Sequence, residues 1–267
     1  MSTPASRPPR LVATDLDGTV VRSDGTIAAR TREVIGRIEA AGVPFVMVTG
    51  RPPRWMAPVV EMTGHRGLAV CANGALVYDL HTETVLERFL LEEADAVDVA
   101  SSLRAALPEI AFAVERPDLG FAHEESYTPS WEQPDHHSLP VEALVEGGVV
   151  KLLARHPGLG SDDLLAAARE AVGDRATFTH SSGDGLLEIS AAGISKASGL
   201  AHLCREHGVD AADVVAFGDM PNDLPMLAWA GRGVAVANAH PEVLELADEV
   251  TASNDDDGVA QVLERWF

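Results

Sequence analysis

Short apolar runs alternate along this chain with longer stretches whose apolar residues recur at helical spacing. Strands are predicted at 11–14, 43–48 and 68–72, with helices at 28–41 and 54–62 between them. Thr26 is placed to cap the first helix and Gly42 to end it. The segment 20–27, turning at Ser23-Asp24-Gly25, reads as a short flap. After the Asn73-Gly74 turn, Leu76-Val77-Tyr78 is expected to pair back on the third strand. Past residue 190 the alternation resumes as helix 195–207, strand 214–217, helix 222–230, strand 233–236, helix 240–247, strand 249–251 and helix 257–266. Such alternation predicts an α/β fold with a doubly wound parallel sheet.

The middle of the chain follows another pattern. Helix 92–107, strands 110–115 and 120–124, strand 149–155, helix 162–172 and strand 177–179 suggest an inserted α+β domain with an antiparallel sheet. The expected division is therefore a core made of 1–83 and 188–267 and an insertion at 84–187. The loop 125–140 is polar and broken by prolines. Its His136-His137 pair has no further ligand at convergent spacing, so it reads as loop rather than metal site.

Chemistry concentrates where predicted strands end. Asp15 and Asp17 close the first strand and are followed by Gly18-Thr19. Side chains at i and i+2 share a face if the strand continues. Two acids so close repel, and stay ionised together only if a cation or hydrogen bonds compensate them. Thr49-Gly50-Arg51 ends the second strand, Lys196 follows the apolar run 186–190, and Gly218-Asp219-Met220-Pro221-Asn222-Asp223 follows strand 214–217. In a doubly wound sheet these ends share one edge, where ligands bind.

These four segments, in this order, resemble the motifs of the haloacid dehalogenase superfamily of phosphotransferases. An α/β cap inserted between the second and third motifs is similar to the type IIB, or Cof-like, arrangement. Cys71-Ala72-Asn73-Gly74-Ala75, Glu188-Ile189, Asn238-Ala239 and the run from Asn254 to Ala260 fit that subgroup. The resemblance implies a metal-dependent phosphatase acting on a small phosphorylated metabolite, by default a sugar phosphate, next a phosphorylated cofactor. It makes Asp15 the nucleophile and Asp17 the acid and base. It implies Mg²⁺ held by Asp15, the Asp17 backbone carbonyl and Asp219, with Asp223 beside or behind them. Leu16, Thr49, Gly50, Lys196 and Asn222 would bind the phosphoryl group. Arg51, Asn73, His123, Glu124, Tyr127 and Trp131 are candidates for substrate selection. A phosphomutase would need a second cationic phosphate site, and the insertion's Arg104, Arg116, Lys151, Arg155, Arg169 and Arg175 do not cluster in sequence. A non-catalytic binding protein of this fold is the remaining alternative, against which Asp15, Asp17, Lys196 and Asp219 are all present.

Composition narrows the partners. A formal charge of −21 over 267 residues disfavours nucleic acid and anionic membrane, which both ask for a basic footprint. A phosphorylated substrate then requires a local positive patch. Lys151 and Lys196 are the only two lysines, so a chain that otherwise uses arginine puts a compact ammonium at the third motif. Lys151, in a predicted strand, is expected on a solvated face. Two distant cysteines, no bilayer-length apolar run and an N-terminal segment without the apolar centre of a secretory signal suggest a cytoplasmic protein, expected as a monomer or weak homodimer.

Overall fold

A computed structural model describes residues 7–129 and 138–267. They fall into two compact units, one comprising the chain up to Leu86 with Lys196–Phe267, the other Glu87–Ser195. In chain order the first unit opens with β1 (Leu11–Thr14), α1 (Ala29–Ala40), β2 (Phe45–Val48), α2 (Ala57–Thr63), β3 (Leu68–Cys71), β4 (Leu76–Asp79) and the greater part of β5 (Thr84–Arg88), within which the division falls. The second contains α3 (Glu93–Ala106), β6 (Ala111–Glu115), β7 (Phe121–His123), α4 (Val141–Leu144), β8 (Lys151–Arg155), α5 (Ser161–Val172), β9 (Ala176–Thr179) and β10 (Leu186–Ala191). The chain then completes the first with α6 (Lys196–Glu206), β11 (Val214–Gly218), α7 (Leu224–Trp229), β12 (Arg232–Ala235), α8 (Pro241–Leu246), β13 (Glu249–Val250) and α9 (Gly258–Leu263).

The first unit holds an eight-stranded sheet in the order β13-β12-β11-β1-β2-β3-β4-β5. The pairs from β13 to β3 are parallel, and β4 turns back antiparallel on β3. Leu11, Val12 and Ala13 are fully buried, as expected of a parallel strand covered on both faces. The strand order reverses at β1, with Thr14 beside Phe217 of β11 and Met47 of β2. The residues just beyond these three strands therefore emerge side by side at the switch point. Helix α1 buries Val34, Ile35 and Ile38. It starts without the predicted cap: Asp24 accepts from both the amide and the hydroxyl of Thr26, at 2.9 and 2.6 Å, and so draws Thr26 into its own turn.

The second unit is a five-stranded antiparallel sheet in the order β7-β6-β8-β10-β9. One face buries Phe112, Leu152 and Leu187 against Val99 and Leu103 of α3 and Leu164 and Ala168 of α5. The other carries a smaller cluster of Ala111, Ala113, Leu153 and Tyr127.

Three local expectations are corrected. The run 186–191 is not a strand of the parallel sheet: β10 hydrogen-bonds along its length to β8 and β9, so the second unit extends to Ser195 rather than to 187. Residues 84–88, expected to begin the insertion, form the edge strand β5 of the first sheet. Lys151, expected in solvent, is only 2% exposed, and its Nζ donates to Glu188 Oε1 at 2.5 Å. Alternation assigns a side chain to a face, but does not say what lies over that face. Among the described residues no helix is long and apolar enough to cross a membrane.

Candidate active site

Every motif residue at the strand ends lies in the first unit. Asp15, 5% exposed, continues β1, with its N–H donating to the Phe217 carbonyl at 2.9 Å. Thr19, Val20 and Val21 then direct their N–H groups onto the Leu16 carbonyl, which curls the chain beneath the acids. Gly18 is required twice. Its φ of +76° is left-handed, and a Cβ there would stand 2.3 Å from Asp219 Oδ2.

Lys196 opens α6 fully buried, with Nζ 2.7 Å from Asp15 Oδ1 and 2.7 Å from Asp223 Oδ1. The second oxygen of Asp223 accepts from the Asp219 and Met220 amides, each at 3.0 Å, so Asp223 is bound on both sides. Thr19, which sequence reasoning passed over, donates its hydroxyl to Asp219 Oδ1 at 2.9 Å across 200 residues of chain. Only its place two residues past Asp17 hinted at this, since a threonine after Asp-Gly also reads as turn. Ligand atoms of Asp15, Asp219 and Asp223 lie within 4.8 Å of one another.

Three buried carboxylates against one ammonium leave an uncompensated negative charge. Burial pushes the Asp15 carboxyl well above the usual range; Lys196 opposes this, and Asp223 and Asp219 reinforce it. Burial, then Asp223, pushes Asp219 up to about 7. Burial alone would lower the Lys196 ammonium, but Asp15 and Asp223 outweigh it and hold it protonated. An all-oxygen donor set with excess negative charge fits a hard divalent cation.

Asp17 does not join that group through its side chain, which is 56% exposed. Arg51 takes its carboxylate with two nitrogens, at 2.7 and 2.5 Å. Arg51 is itself placed by the Thr49 hydroxyl, which accepts its N–H at 3.0 Å. Beside this loop, Asn222 Nδ2 donates to Asn73 Oδ1 at 3.1 Å. Asn73 sits at φ +56° and 2% exposed, and its Nδ2 has no partner among the described residues. Gly50 completes the second motif between Thr49 and Arg51.

The remaining candidates lie in the second unit. Glu124 is committed locally: Arg104 donates to both its oxygens at 2.7 Å and the Phe112 N–H to one at 2.9 Å. His123 Nδ1 donates to the Glu124 carbonyl at 2.7 Å. Tyr127 is buried, which pushes its hydroxyl up to about 12. Trp131 and the His136-His137 pair fall outside the described residues.

With this geometry in view, the comparisons with known proteins are consistent with one another. A model of the haloacid dehalogenase-like hydrolases matches residues 12–263. The chain is similar to the 5-amino-6-(5-phospho-D-ribitylamino)uracil phosphatase YitU of Bacillus subtilis, with 29% identity over 97% of this chain and 98% of that one. Its fold matches that of BT1666, a phosphatase from Bacteroides thetaiotaomicron, at a TM-score of 0.82 and 22% identity, covering 99% and 97% of the two chains. It also matches the subclass IIB sugar phosphatase BT4131 at a TM-score of 0.81 and 19% identity, over 96% and 98%. The chain belongs to the haloacid dehalogenase-like hydrolase family and is an enzyme of its phosphatase class.

Proposed function

We propose that the protein hydrolyses a small phosphomonoester, a sugar phosphate or a phosphorylated cofactor, through an aspartyl-phosphate on Asp15. The buried group of Asp15, Asp219 and Asp223 around the single ammonium of Lys196 carries this reading. Asp15, Asp219, Asp223 behind them and the Asp17 carbonyl would hold Mg²⁺. When bound, Mg²⁺ would offset the carboxylates' repulsion and draw negative charge from the phosphoryl oxygens.

In the first step an Asp15 oxygen attacks phosphorus and the ester P–O bond breaks. The departing alkoxide takes a proton from Asp17. In the second, Asp17, now a carboxylate, takes a proton from water, whose oxygen displaces Asp15 from phosphorus and frees phosphate. Arg51 holds the Asp17 carboxylate beside the nucleophile, and the exposure of that side chain gives it room to leave Arg51, carry a proton to the leaving group, and return as the base toward water. The Thr49 hydroxyl, the Leu16 and Gly50 amides, Lys196 and Asn222 grip the phosphoryl oxygens, with the unpartnered Asn73 Nδ2 as a further buried donor. Lys196 neutralises charge that grows on those oxygens in the transition state.

Hydrolysis is favoured over phosphomutase chemistry by the cations of the second unit. Of the six named above, Arg104, Lys151 and Arg155 are each engaged with a carboxylate, of Glu124, Glu188 and Asp184 respectively, and Arg169 and Arg175 donate to the Phe178 carbonyl and the Ser102 hydroxyl. Selection of the substrate is assigned to the insertion, and the enzyme, as a monomer or weak homodimer, to the cytoplasm, where buried cysteines outside any disulfide such as Cys71 and Cys204 are usual. A panel of phosphorylated metabolites assayed for phosphate release with Mg²⁺ tests the reading. Release from a sugar or cofactor phosphate that chelation abolishes, together with an inert Asp15→Asn variant, is expected. Robust turnover by Asp15→Asn would end the aspartyl-phosphate mechanism.

A further inference from the structure

The asparagines at 238 and 254 take no part in the phosphoryl transfer just described, yet both reach the nucleophile loop. Asn238 Nδ2 donates to the Gly18 carbonyl at 2.8 Å, and Asn254 Nδ2 donates to the Val21 carbonyl at 3.0 Å. The two are joined, since the Asn254 N–H donates to Asn238 Oδ1 at 2.9 Å. A continuous bridge of neutral amides thus spans the turn that begins at Asp17.

The segment that carries Asn238 also holds the other acidic loop. Its His240 N–H donates to the Asp219 carbonyl at 2.8 Å, and its Val236 N–H to the Gly218 carbonyl at 3.4 Å. One short stretch, 236–240, therefore grips the backbone of the Asp219 loop with its own backbone and the nucleophile loop with a side chain. The Ser23 amide and hydroxyl on Asp255, and Arg22 on Asp257, extend the attachment along the outer rim.

The residue type matters. At 238 the side chain must donate from one atom and accept at the other, which asparagine does and an ionised aspartate cannot. Asp15, Asp219 and Asp223 repel one another and tend to force the loops apart. A charged tie would alter that balance of charge, whereas a neutral amide resists separation and leaves it unchanged.

We infer that Asn238 and Asn254 are positioning residues that fix the spacing between the Asp15–Val21 and Gly218–Asp219 loops, and with it the geometry of the cation site. This rests on the reading that Asp15, Asp219 and Asp223 hold a divalent cation. Partners that orient metal ligands without touching the metal are worth about 10–100-fold in affinity.

The test uses the full chain and three variants. Asn238→Ala removes the tie from an exposed position, Asn238→Asp keeps its shape but loses the donor, and Ser23→Ala cuts only the rim. Mg²⁺ affinity is measured by calorimetry, kcat and KM at saturating Mg²⁺, and amide exchange of residues 18–21 by mass spectrometry in metal-free protein. Both Asn238 variants are expected to bind Mg²⁺ about 10–100-fold more weakly and to exchange faster at 18–21, with KM at saturating metal unchanged. Ser23→Ala should match the wild type in all three. A folded Asn238→Ala that binds Mg²⁺ as tightly as the wild type overturns the inference. So does an equal loss in Ser23→Ala, which would assign the effect to general loosening of the rim. Absence of Mg²⁺ binding in the wild type would bring down the reading of the cation site itself, and so separates the two failures.

Discussion

The chain's two lysines are both buried and both paired with carboxylates, yet their surroundings differ in kind. Lys151 opens β8, the central strand of the antiparallel sheet, opposite Glu115 of β6, and its Nζ pairs with Glu188 on the other neighbouring strand, β10, so the pairing is between strands fixed side by side. Lys196 opens a helix and meets carboxylates from two different strand ends, with a third whose ligand atom lies within 4.8 Å of theirs. Among the described residues only Asp15, Asp219 and Asp223 form a group able to hold a metal in this way. A lysine held by strand register serves folding. A lysine amid acids it cannot neutralise leaves a net negative charge, which is what the proposed cation site requires.

The most severe break in the first unit is loss of the nucleophile. Asp15→Asn should fold and lower kcat by at least about 10⁴-fold, the scale seen when a catalytic group acting in concert with others is removed. Single-turnover assays with an activated aryl phosphate check this, and retained turnover would place the site's excess charge outside catalysis.

Next comes Asp17, which the structure sets apart from the carboxylate group. Asp17→Asn should slow transfer from a sugar phosphate by about 10²–10⁴-fold, the range for lost acid–base catalysis. Transfer from an aryl phosphate needs less protonation and should suffer less, so phospho-enzyme should accumulate. Acid-quenched protein examined by mass spectrometry would show it, and equal losses on both substrates without phospho-enzyme would make Asp17 structural.

The lysines themselves give a third test. Lys151→Met strands the buried Glu188 and should cost about 3–5 kcal/mol of stability, whereas Lys151→Met/Glu188→Leu should recover most of it. Urea unfolding reads both. Lys196→Met should be rescued in stability by Mg²⁺ but not in kcat. If the Lys151→Met/Glu188→Leu variant stayed as unstable as Lys151→Met, the contrast between the two lysines would fail.

The smallest effect is a dependence on pH. Asp219, at about 7 in the folded protein, and Asp15, raised in the same direction, bind protons more tightly folded than unfolded. Their contribution is fully present below the unfolded carboxylate value of about 4 and is lost as pH rises through about 7. The metal-free Tm should therefore fall across that window, and the rise in Tm on adding Mg²⁺ should grow with it. A Mg²⁺ increment that stays flat from pH 5 to 8 would detach these acids from cation binding.

The parallel strands and the residues at their ends were legible because that information is local. An apolar run bounded by turn formers fixes a buried strand, and β1, β2, β3 and β11 lie within two residues of their predicted bounds. Asp15, Thr49, Lys196 and Asp219 could be picked out because each sits in a short segment of distinctive order. The pairings of Arg51 with Asp17 and of Thr19 with Asp219 were not legible, since neither partner's residue type names the other.

By itself, then, the sequence determined where most strands and helices form, though not β5 or α4, and which carboxylates, hydroxyls and ammonium stand at strand ends, for these follow from periodicity and near-neighbour chemistry. Only the tertiary structure decided that β10 joins the antiparallel sheet, that Lys151 is buried, and that Asn238 reaches Gly18 across 220 residues. Strand partners, burial and charge balance depend on what packs over a residue from elsewhere in the chain, and no local pattern carries that.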